Sequence, residues 1–162
     1  MNCRAVAVAA VLSLFVGGAQ AGDYSLGNLQ IAGPWARATP RGANVAAAYF
    51  KITNNGSAPD RLVGGSTTVA SRFEVHRMVT EDGVAKMRPV EGGLEIKPRE
   101  TVELKPGSFH IMLIGLTQAI QPGQRLTGTL VFERAGKVDV EFDVVPVGQG
   151  SPATGGGHHS GH

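Results

Sequence analysis

RFEVHRMVTEDGVAKMRPV, residues 72–90, consists of two strand-like runs hinged on Asp82-Gly83. An Asp-Gly pair between two such runs signals a two-residue hairpin, because both residues tolerate the positive φ that the turn requires. Arg72–Thr80 is the outgoing strand and Val84–Val90 the return. Upstream, Leu29–Thr39 reads as a strand with Trp35 in the core; Pro34 and Pro40 make it an edge or bent strand. Val45–Thr53 (VAAAYFKIT) follows, closed by Asn54-Asn55-Gly56, and then a brief strand Asp60–Val63 before Gly64-Gly65. Downstream come Leu94–Ile96, Thr101–Lys105, Phe109–Leu116, Arg125–Glu133 and Val138–Val145. Pro106-Gly107, Pro122-Gly123 and Ala135-Gly136 supply the turns between them. No window carries sustained helical periodicity with caps. Many short strands at regular spacing, separated by Gly and Pro turns, point to an all-β chain, a Greek-key β-sandwich or a barrel.

The two ends differ from this middle. Arg4, the apolar run Ala5–Val16 and Ala19-Gln20-Ala21 have the order of a secretory signal peptide, residues 1–21. Its removal leaves 141 of the 162 residues, one domain's worth, assigned to residues 22–147. Cys3 precedes the apolar run instead of ending it, which argues against a lipid anchor there. It is the only cysteine, so the mature chain is expected to have neither disulfide nor thiolate. From Gly148 to His162 the chain is Gly, Ser, Pro, Thr, Gln, Ala and His, a composition expected to be disordered. The net charge of +2 falls to +1 once Arg4 is gone, with no run of like charge, which gives no support to nucleic-acid binding. No later stretch is apolar enough to span a bilayer. A secretory signal is expected to place the protein outside the cytoplasm.

The chemistry is concentrated between His76 and Met112. Met1 aside, every methionine lies there (Met78, Met87, Met112), and so do both histidines outside the tail, His76 and His110. Alternate residues of a strand face opposite sides. Phe109, Ile111 and Leu113 therefore share a core face, and His110 with Met112 should project outward as a pair. His76 and Met78 repeat that spacing, and Met87 lies across the hairpin from them. A single methionine in a strand is ordinarily core filler, and a single histidine ordinarily a hydrogen-bonded or surface residue. Two His-x-Met pairs and the only other methionine in one segment, with all other strands devoid of both, point instead to a metal site.

The donor types select the metal. Zinc takes Cys, His and carboxylate, and calcium or magnesium takes oxygen cages. A blue-copper electron carrier requires a thiolate. Imidazole with thioether is a soft, nearly neutral set that favours Cu(I).

At these residues the chain resembles the periplasmic copper chaperone family PCu(A)C. That family's pattern is His, ten residues, Met, about twenty-one residues, His-x-Met. Ten residues separate His76 from Met87, twenty-two separate Met87 from His110, and Met112 completes the end. The extra residue falls in a gap rich in Gly and Pro, where a turn can absorb it. The resemblance extends to Pro34-Trp35-Ala36-Arg37-Ala38-Thr39-Pro40, Met87-Arg88-Pro89-Val90 and Leu104-Lys105-Pro106-Gly107, and covers about Leu29–Val147. It implies a cupredoxin-like fold with a surface-exposed Cu(I) site made by His76, Met87, His110 and Met112, with Met78 a neighbour or alternate ligand. It also implies delivery of copper to a partner, such as cytochrome c oxidase subunit II with its dinuclear copper centre, or a Sco-type protein. Some members carry a His-rich tail that takes Cu(II); here the tail offers His158, His159 and His162.

A carrier needs no catalytic group. A mononuclear copper oxidase is the enzymatic alternative, and a metal-free binding sandwich the other. Glu74, Glu81 and Asp82 are expected to be solvated acids, and Arg37 and Arg88 ordinary surface charge.

Overall fold

In a computed structural model, residues 22–152 are described, and the signal-peptide segment and the three tail histidines lie outside them. The described residues form eleven strands and no helix. In chain order these are β1 (Tyr24–Leu26), β2 (Leu29–Arg37), β3 (Val45–Asn54), β4 (Asp60–Thr67), β5 (Ala70–Glu81), β6 (Val84–Pro89), β7 (Leu94–Ile96), β8 (Thr101–Glu103), β9 (Phe109–Leu116), β10 (Arg125–Phe132) and β11 (Gly136–Val145).

Seven of them close on themselves in the order β2-β11-β10-β4-β5-β9-β3, with β3 returning to β2. The β4–β5 seam is a single pair, Thr67↔Ala70, so the ring is pinched there. The parallel pairing of β11 with β2, from Asp143↔Trp35 to Val145↔Arg37, joins the two ends of the chain. Inside lies one core built from alternate residues of each strand, including Ile31, Ile52, Leu62, Ile111, Leu113, Leu130 and Phe142. Burying each large side chain is worth about 1.5–3 kcal/mol, which is what holds the closed sheet together. A second cluster, Trp35, Tyr49 and Val145, lies apart from it with Ala47 against it.

Local chemistry explains where the strands differ from the pattern. β2 is interior, not an edge: it pairs with β1, β3 and β11. Its register shifts between Ala32 and Trp35, where Gly33 has φ +55. That bulge absorbs Pro34, which lacks the N–H for an uninterrupted ladder. β4 runs on through Gly64-Gly65 because glycine is required within it. A Cβ on Gly65 would strike the Thr129 carbonyl and stand 2.9 Å from the Phe73 ring. Asp82 (φ 52) and Gly83 (φ 76) form the turn joining β5 to β6, as their sequence demands.

That hairpin positions the site. β9 pairs with β5 only as far as Arg77↔Phe109, whereas β5 and β6 stay paired to Glu81↔Val84. The last rungs are thus a two-stranded ribbon, and every residue of β6 is exposed.

Candidate metal centre

Paired residues on neighbouring strands point to the same face. The β5–β9 register sets His76 opposite His110 and Glu74 opposite Met112. The β5–β6 register sets Met78 opposite Met87 and His76 opposite Pro89. One face therefore carries three successive rungs: Glu74 with Met112, His76 with His110, and Met78 with Met87. Rungs sharing a face are about 7 Å apart and strands about 4.8 Å, so unbranched methionine side chains on the outer rungs can reach the histidine rung.

The imidazole centroids are 5.9 Å apart, with the rings tilted by 51°. Metal–imidazole bonds near 2.0 Å, with a ring radius of roughly 1.1 Å, put two rings on a shared ion about 5–6 Å apart, so the observed separation fits. Each ring uses one nitrogen in a protein hydrogen bond. His76 Nε2 is 2.9 Å from Glu74 Oε2, and His110 Nδ1 is 3.0 Å from the Ser108 carbonyl. With acceptors at those positions, those nitrogens carry the protons of neutral rings, and lone pairs remain on His76 Nδ1 and His110 Nε2. Both remaining atoms are buried without a hydrogen-bond partner. Native structures rarely leave buried polar atoms so, and a metal ligand is one explanation.

The histidines were expected to project outward. They do face away from Ile111 and Leu113, but they are only 8% and 3% exposed. The Ser108 carbonyl ties the chain before His110 to the base of the ribbon, accepting both from His110 Nδ1 and, at 3.2 Å, from the Met78 N–H. Exposure is passed to the thioethers. Met87 is 52% exposed and Met78 and Met112 are half-buried. The arrangement has a buried nitrogen end and an accessible sulfur end. Among the described residues no group of three His, Cys, Asp or Glu side chains could hold a metal. A centre here must therefore recruit methionine sulfur, which favours Cu(I) over zinc or calcium.

The charged neighbours are more engaged than their sequence suggested. Glu74 is a strand residue, not a solvated loop acid, and its second oxygen meets Arg72 Nη1 at 3.1 Å. The i, i+2 spacing from His76 was the available signal. Glu81 bridges Lys86 at 2.9 Å and Arg88 at 2.7 Å on the ribbon's other face. Those bonds, Arg88 first, hold its carboxyl below the usual range and raise the Arg88 guanidinium in turn. Arg37 is not plain surface charge: its guanidinium lies 5.8 Å from the Tyr49 ring centroid, and its Nε is buried. Burial pushes the Tyr49 phenol up, and the nearby Arg37 cation partly offsets this. Ala47, opposite Met112, connects this aromatic cluster to the strand that carries His110.

The model of the family described as "Putative lipoprotein LpqE-like" matches residues 29–144. "Putative lipoprotein Lxx21020" of Leifsonia xyli subsp. xyli is 32% identical over 136 residues, covering 80% of this chain and 81% of that protein. The solved structure "Copper-bound PCuAC domain from PmoF2" superposes with a TM-score of 0.66 at 26% identity, over 77% of this chain and 98% of that one. The Cu(I) form of DR1885 from Deinococcus radiodurans does so with a TM-score of 0.59 at 29% identity, over 80% of this chain and 83% of that one. The all-β, cupredoxin-like sandwich expected from the sequence is the observed fold.

Proposed function

This chain belongs to the LpqE-like family and is a PCuAC-type domain, and on that premise we propose that it is an exported metallochaperone that carries Cu(I). The ion is held by His76, Met87, His110 and Met112, with Met78 as a neighbour able to substitute. One observation supports this above all: two buried imidazoles share a rung, each with one nitrogen engaged and the other unpartnered, on the face that carries every thioether of the domain. The copper-bound state of PCuAC neighbours points the same way.

The site's asymmetry suits carriage. Imidazoles sealed from water hold the ion, while Met87 at the exposed end is the donor a partner's ligand displaces first. A neutral His/Met set binds Cu(I) without the tenacity of thiolates, so ligand exchange can release it. The chain is a carrier and not an enzyme, in keeping with its family. The recipient is a copper-accepting protein of the same compartment, of the type of cytochrome c oxidase subunit II or a Sco-type thiol protein. The lipoprotein description of relatives agrees with export, and the signal-like residues 1–21 with the periplasm. No helix of the described residues is long and apolar enough to cross a membrane.

X-ray absorption on the Cu(I)-loaded protein tests the reading. It should report two nitrogen and two sulfur neighbours; an all-nitrogen or oxygen-rich shell would refute it.

A further inference from the structure

We propose that Glu74 is the positioning residue of this centre: it fixes the tautomer of His76 and so dedicates Nδ1 to the ion. The inference rests on the copper reading for what Nδ1 binds, but not for how the ring is set. A neutral imidazole can carry its proton on either nitrogen. Only the form protonated at Nε2 presents a lone pair at Nδ1. Glu74 Oε2 lies 2.9 Å from Nε2 and accepts its proton, and a carboxylate acceptor makes that bond stronger than a neutral one would. Glu74 is itself anchored, since its other oxygen meets Arg72 Nη1 at 3.1 Å. The relay Arg72–Glu74–His76 thus spends each carboxylate oxygen once and leaves Nδ1 buried and free.

The two histidines are set in opposite senses. His110 gives its Nδ1 proton to the Ser108 carbonyl and keeps Nε2 for the metal. A backbone carbonyl cannot be lost by substitution, so one ring is fixed by the fold. The other is fixed by a side chain that is about one-third exposed and can be replaced. Glu74 also stands opposite Met112, so one carboxylate borders both a nitrogen and a sulfur donor. Outer-shell carboxylates of this kind orient ligating histidines, and their loss typically costs 10–100-fold in metal affinity.

Two readouts test this on the full chain. Long-range proton–nitrogen NMR of the metal-free protein reads each ring's tautomer directly. Competition against a chromophoric chelator reads Cu(I) affinity. The native protein should show His76 protonated at Nε2 and His110 at Nδ1. Glu74→Ala should leave His76 averaging between tautomers and weaken Cu(I) binding about tenfold or more. Glu74→Gln, whose amide oxygen still accepts the proton, should restore the tautomer and most of the affinity. A His76 protonated at Nδ1 in the native protein overturns the proposal. So does a Glu74→Ala variant that keeps the tautomer, or loses it with unchanged affinity. If the native protein bound no Cu(I), the copper reading would fail, while the NMR comparison would still decide whether Glu74 sets the ring.

Discussion

His76 and His110 are directly opposed in the β5–β9 ladder, with ring centroids 5.9 Å apart and both rings nearly out of contact with water. They are thirty-four positions apart in the chain, so the pair exists only once the sheet has formed. Each contributes one unpartnered nitrogen, and neither has a neighbouring imidazole among the described residues that could take its place. His110→Ala should therefore reduce Cu(I) affinity by more than the 10–100-fold that loss of an outer-shell partner costs. Circular dichroism and the urea midpoint should show the sandwich still folded. An affinity within threefold of the native value would remove His110 from the ligand set.

The thioethers allow a sharper distinction. Met78 and Met87 face one another across the ribbon, and Met87 is the more exposed. Leucine preserves most of a methionine's volume while deleting sulfur, so packing is a small effect. Met112→Leu should lower the sulfur count in X-ray absorption from two to one and weaken Cu(I) binding, whereas Met87→Leu should weaken binding with Met78, opposite it, supplying the second sulfur. Met78→Leu should leave sulfur count and affinity unchanged. Weaker binding for Met78→Leu but not for Met87→Leu would exchange the roles of the two ribbon methionines.

How much of this was legible in the residues depends on range. The Asp82-Gly83 turn and the alternation of Phe109–Leu113 are local, so the hairpin and the sidedness of His110 followed from spacing alone. The short strand Tyr24–Leu26 was not legible, since three residues carry too little pattern. Nor was the parallel β11–β2 pairing, which joins residues more than a hundred positions apart. Burial of the histidines is not legible for a related reason. Strand alternation tells which face a side chain takes, but not how much of that face the folded chain covers. Glu74 reads as solvated in the sequence because its partners, Arg72 and His76, are identified only by geometry.

The ribbon's far face predicts a pH effect. Glu81 holds both Lys86 and Arg88, and its folded pKa lies below the ordinary value of 4.5. A depressed carboxylate pKa adds stability above the unfolded pKa and loses it as pH falls through the folded one. The β5–β6 rungs should therefore be held at neutral pH and loosen only below about pH 4.5, the more so in high salt, which screens exposed pairs. An NMR titration should place the Glu81 midpoint below 4.5, and Arg88→Ala should raise it. A midpoint at or above 4.5 in the native protein would dismiss the cluster as a device holding the ribbon.

Two glycines separate backbone strain from lack of space. Gly83 has φ +76 with nothing within 4 Å of an added Cβ, so Gly83→Ala should cost about 1–2 kcal/mol from conformation alone. Gly65 has ordinary φ, but its Cβ would strike the Thr129 carbonyl and crowd the Phe73 ring. Gly65→Ala should cost about 1–3 kcal/mol by overpacking the β4–β10 seam. Urea unfolding measures both. Only the second variant should also disturb Phe73 in NMR spectra; identical spectral changes would mean that the two positions act alike.

The tail histidines allow the last separation, between the two oxidation states of copper. His158, His159 and His162 lie outside the described residues, and a short His-rich tract without methionine suits Cu(II) better than Cu(I). Gly150 and Ser151 line a cleft with Trp35 and Pro106, so the cut belongs after Pro152, where it spares that contact. The chain ending at Pro152 should keep native Cu(I) affinity, because His76, Met87, His110 and Met112 are all retained. Its Cu(II) uptake, followed by electron paramagnetic resonance, should fall by the equivalents bound through the tail. Loss of Cu(I) binding instead would locate the carrier site in the tail and leave the opposed histidines without their ion.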